Sequence, residues 1–63
     1  MKPTLAQLAR DRKKLVSSLS DVRQSAMHAS RCGDFRAVGK LTIEAARINS
    51  AIAEVDVAEM FAL

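Results

Sequence analysis

Sixty-three residues, 49% apolar and 3% aromatic, make one small domain at most. A chain this short is marginal alone without a metal, a disulfide or a second chain. One cysteine rules out an internal disulfide, and Cys32 with His28 falls short of a four-ligand metal site, so association is left as the source of stability and neither metal nor cofactor is expected.

Thr4 followed by Gln7 has the form of a capping box, with the threonine oxygen taking an orphan N–H and the glutamine reaching back. From there Leu5, Leu8, Arg12, Leu15, Leu19, Val22, Ala26 and Ala29 recur three and four residues apart, a helical seam interrupted only by Arg12. That arginine has two readings, an interhelical ion pair or a stem packed on the seam with its head in water. At Arg31-Cys32-Gly33-Asp34 a stop signal abuts a start signal, because glycine closes helices in the left-handed conformation and aspartate caps them. Two long helices joined by so short a loop run antiparallel. The expectation is an all-α antiparallel helical hairpin occupying residues 1–63. Its helices fall at about 4–31 and 35–60, with the turn at about 32–34, each about 38 Å long.

The second helix carries two apolar seams. Val38, Leu41, Ala45, Ile48, Ile52 and Val55 form a broad one, suited to the first helix. Gly39, Ile43, Ala46, Ser50, Ala53, Val57 and Met60 form a narrow one that the chain has no third element to cover. The hairpin is therefore expected to assemble into a helical bundle, with a second copy or with a different protein. Gly39, Ile43, Ala46, Ala53, Val57 and Met60 are the candidate contacts. Gly39, Ala46 and Ala53, seven apart, read as a flat strip for close helix approach. Near the turn, Phe35 and Val38 are expected to fill the space opposite the small residues Ala26 and Ala29.

Charge divides the helices: residues 1–31 carry seven Lys/Arg against two Asp, and residues 34–63 three against five Asp/Glu. Either the helices attract each other, or the basic one meets an anionic partner. Arg10, Lys13 and Lys14 are the candidate nucleic-acid contacts. The first helix has no aromatic for base stacking, so such binding would be salt-sensitive phosphate contact. Catalysis is not expected. His28 and Cys32 lack an orienting third group, an oxyanion hole and a pocket, and no carboxylate pair, phosphate loop or metal spacing occurs. The first nine residues hold no uninterrupted apolar run of an export signal, and no stretch approaches the roughly 20 apolar residues of a span, so a soluble cytoplasmic protein is expected.

Arg31-Cys32-Gly33-Asp34, then Glu44, Ile48 and Ser50-Ala51-Ile52-Ala53, stand at separations that resemble a group of small helical hairpins. These are the E-type co-chaperones of the type III secretion needle subunit, and the likeness covers about half the chain. The resemblance implies a non-catalytic cytoplasmic adaptor that docks on a repeat-type helical chaperone and with it sequesters the needle subunit. In that case the narrow seam is the docking face. Two rival expectations fit the same hairpin: a homodimeric four-helix bundle that binds paired RNA loops through the basic helix, and a phage or accessory protein that inhibits a host protein.

Overall fold

The computed structural model describes residues 3–62, which form two helices, α1 (Leu5–Arg31) and α2 (Phe35–Ala62), packed antiparallel as a rod of 45 × 16 × 14 Å. No strand occurs among the described residues. The helices begin and end where the sequence signals stand. Thr4 Oγ1 accepts the Gln7 N–H at 3.2 Å, and the Thr4 N–H donates to Gln7 Oε1 at 2.9 Å, which completes the capping box. At the other end of α1, Gly33 takes φ +74, its N–H donates to the Ser30 carbonyl, and the Asp34 N–H donates to the Ala29 carbonyl. That pair of bonds is a Schellman motif, so the last carbonyls of α1 are satisfied within the turn itself. Asp34 then caps α2, its Oδ1 accepting the Ala37 N–H at 3.1 Å.

The core is thin. Leu8, Leu19, Val22 and Ala29 are buried, all of them on α1, and no described side chain is below 2% exposure. On α2 the broad seam from Val38 to Val55 is half-buried throughout and faces α1. The more apolar helix is thus the less buried one: 17 of α2's 28 residues are apolar against 11 of α1's 27, yet no α2 residue is buried. α2 divides its apolar side chains between two faces, and α1 covers only one.

Two packing expectations fail at the ends of the seams. Phe35 does not fill the space near the turn; it is 76% exposed, while Val38 is half-buried. Steps of three residues drift about 60° around a helix, so Leu41 faces α1, Val38 sits at the edge and Phe35 has turned past it. Leu5, one such step before Leu8, has rotated out of the seam in the same way and is 46% exposed.

Arg12 resolves as an ion pair. Its Nε donates to Asp56 Oδ1 at 2.8 Å across the helix interface, with both side chains about half-exposed. Both residues lie at the margin of their seams, where a long side chain crosses from helix to helix without entering the core. The hydrogen bond that Arg12 donates to Asp56, and the charge of that carboxylate, hold the guanidinium above its ordinary pKa.

Candidate protein-interaction face

The narrow seam of α2 lies about 140° around the helix from the seam that meets α1, so it faces away from the hairpin. Gly39, Ile43, Ala46, Ser50, Ala53, Val57 and Met60 are all exposed. The larger members stand out, with Ile43 at 59%, Val57 at 49% and Met60 at 72%. From Gly39 to Met60 the strip runs about 32 Å along the axis. Phe61, 86% exposed, extends it at the open end of the hairpin. No charged residue interrupts it. A scatter of single exposed apolar side chains is ordinary for a soluble protein, whereas a contiguous stripe on one face is the pattern of an interaction site.

The strip is flat at its middle. Ala46, Ser50 and Ala53 are its central members, and beside them Arg47 and Glu54 frame a shallow hollow of about 490 Å³ lined also by Ile43 and Ala51. Around the flank the surface passes into a groove between the helices, about 430 Å³, lined by Leu8, Leu15, Ala51, Val55 and Ala58 with Asp11, Lys14 and Glu54 at its rim. Neither depression encloses a small molecule; both are open surfaces. Gly39 is helical and a Cβ built on it meets nothing within 4 Å, so no contact inside the hairpin requires glycine there.

Other candidate residues stand apart from this face. Arg10, Lys13 and Lys14 are exposed on α1, spread over about 100° of its circumference, and only Lys14 reaches the rim of the groove. Among the described residues one ion pair, Arg12 to Asp56, joins the two helices, with the charge of Glu59 acting on the same arginine, and these three cations stay on the outside. His28 and Cys32, one turn apart, approach to 3.7 Å between Nε2 and Sγ, both exposed. No third group orients them and no group of three or more potential metal ligands occurs among the described residues. No helix there is long and apolar enough to cross a membrane. Reading residues by seam located the strip but passed over Arg47 and Glu54, whose importance lies in their position beside it.

No curated protein and no solved structure matches the chain. A family profile does, over residues 9–55. The match takes in most of both helices, the turn, and the strip from Gly39 to Ala53, and stops before Val57 and Met60. Covering three-quarters of the sequence, it assigns the chain to the family of unknown function DUF6435.

Proposed function

We propose that this chain is a non-catalytic helical-hairpin interaction protein that works by holding a protein partner on the outer face of α2. The observation that carries this reading is the asymmetry of α2. Its inner seam is half-buried throughout, and its outer seam, equally regular, is exposed throughout. An apolar stripe kept free of charge over six helical turns costs solubility and gives the hairpin no packing, so its use lies outside the hairpin. The proposal is the general one of a protein-binding adaptor. It makes no commitment to a secretion chaperone, and it does not assign RNA binding to the dispersed cations of α1.

Ala46 is the residue to change, because it is exposed and a charge near the centre of the strip blocks apposition. Ala46→Glu should leave the circular dichroism spectrum unchanged. It should abolish association, followed by sedimentation for self-assembly and by affinity capture for other proteins. An Ala46→Glu chain that associates as the wild type does would remove the strip from the protein's function.

A further inference from the structure

We infer that the occupant of the outer strip is a second copy of this chain, paired antiparallel about a twofold axis between Ala51 and Ile52. This assignment rests on the strip being the working surface, and it adds the partner and the register.

The register follows from side chains that stand beside one another on α2. The strip is a heptad seam, with Ile43, Ser50 and Val57 at one core position and Gly39, Ala46, Ala53 and Met60 at the other. About the stated axis the layers are Ile43 on the partner's Met60, Ala46 on the partner's Val57, and Ser50 on the partner's Ala53. Each layer then occurs twice, as an isologous interface demands. The middle layers are small, which lets the two helices approach closely at the hollow beside Ala46 and Ser50. On the flank of the strip, Arg47 comes opposite the partner's Glu54, and Glu54 opposite the partner's Arg47. Neither residue has a hydrogen bond or an ion pair within the chain among the described residues, whose single ion pair is Arg12 to Asp56.

Charge selects this alignment over its neighbours. A slide of one heptad in one direction keeps two charge pairs, Lys40 with the partner's Glu54 and the reverse, but sets Arg47 on the partner's Arg47 between them; in the other it sets Glu54 on the partner's Glu54 and forms no charge pair. Both put like charges together across the axis, which an interface avoids. Parallel pairing places Arg47 and Glu54 opposite Thr42 and Asn49 and forms no charge pair. The surface available agrees with a second copy. The chain exposes 5119 Å², where a compact monomer of its mass exposes about 4,000 Å². The excess of about 1,100 Å² exceeds the roughly 800 Å² that each partner gives to a standard interface. Because the strip faces away from α1, the assembly is a layer of helices ordered α1, α2, α2, α1, with the two copies of α2 inside, rather than a closed square bundle.

The test is charge reversal on the full chain, read by sedimentation equilibrium with circular dichroism as the fold control. The wild type should sediment as a dimer. Arg47→Glu and Glu54→Arg should each weaken dimerisation at least tenfold, and the double reversal should restore it to within about threefold of wild type. Spin labels on the native Cys32 should lie roughly 60 Å apart in the dimer, from the helical rise over the 39 residues that separate the two turns in this register. A monomeric wild type overturns the second copy, while the proposed function survives if that monomer still captures another protein through Ala46. A dimer indifferent to both reversals, or one whose double reversal fails to recover, overturns the register. So does a label distance below about 30 Å.

Discussion

At Gly33 the backbone sits at φ +74, a conformation that costs an L side chain about 1–2 kcal/mol, and nothing within 4 Å would touch a methyl group there. Gly39 has ordinary helical φ and the same open surroundings. Alanine therefore has opposite effects at the two positions. Gly33→Ala should lower stability by about 1–2 kcal/mol through backbone strain alone, and Gly39→Ala should raise it by about 1 kcal/mol through helix propensity. Urea denaturation of both variants checks the signs. In the proposed dimer the last layer is Ile43 on the partner's Met60, so Gly39 lies past the end of the interface and its substitution should leave sedimentation unchanged. The close-approach role expected of the Gly39-Ala46-Ala53 strip then belongs to Ala46 and Ala53.

Between the two elements, Arg12 and Asp56 mark how far one helix slides along the other. An exposed pair of this kind contributes little net stability. Its value is selectivity, since a shifted alignment loses the 2.8 Å contact. A double-mutant cycle with Arg12→Ala and Asp56→Ala should give a coupling energy of favourable sign that fades between low and high salt. Alkali should not break the pair. A cation whose folded pKa is raised contributes its stability at every pH below the unfolded value and loses it only above the folded one, beyond the ordinary working range for Arg12. The elements themselves were legible in the residues. Thr4 with Gln7, and Gly33 with Asp34, are local signals that need no knowledge of the partner helix, and the two seams of α2 follow from spacing alone. What escaped was anything set across the interface or at its ends. Arg12 had two equally good readings until the axial alignment put Asp56 opposite it. Leu5 belonged to its seam by spacing, and Phe35 was expected to fill the space beside the turn, yet both turn outward by accumulated rotation. Arg47 and Glu54 gave no signal of their own, because each is an ordinary helix-surface charge until the exposed strip beside them is recognised.

For the whole molecule, the shape sets how stability depends on amount. A rod with four buried residues among those described, all on one helix, has little core to lose, so covering the outer face of α2 adds a large fraction of what holds it together. The melting temperature of the wild type should climb with protein concentration, by about 5 °C for each tenfold increase if dimer dissociation and unfolding occur together. Differential scanning calorimetry over two decades of concentration measures it. A flat melting temperature would mean that the hairpin holds itself together unaided.

The Schellman turn has a kinetic consequence. Three residues separate the helices, and the two hydrogen bonds that close the turn, from Gly33 to Ser30 and from Asp34 to Ala29, span only a few positions of chain. Every contact between α1 and α2 pairs residues at roughly equal distances from this point, so each closes a small additional loop once its inner neighbour has formed. The chain can zip from Ala29 and Val38 outward, with the Arg12 to Asp56 bond among the later steps and the Leu8 end last. The turn is then the nucleus, and substitutions beside it should slow folding, while those near Leu8 should mainly hasten unfolding.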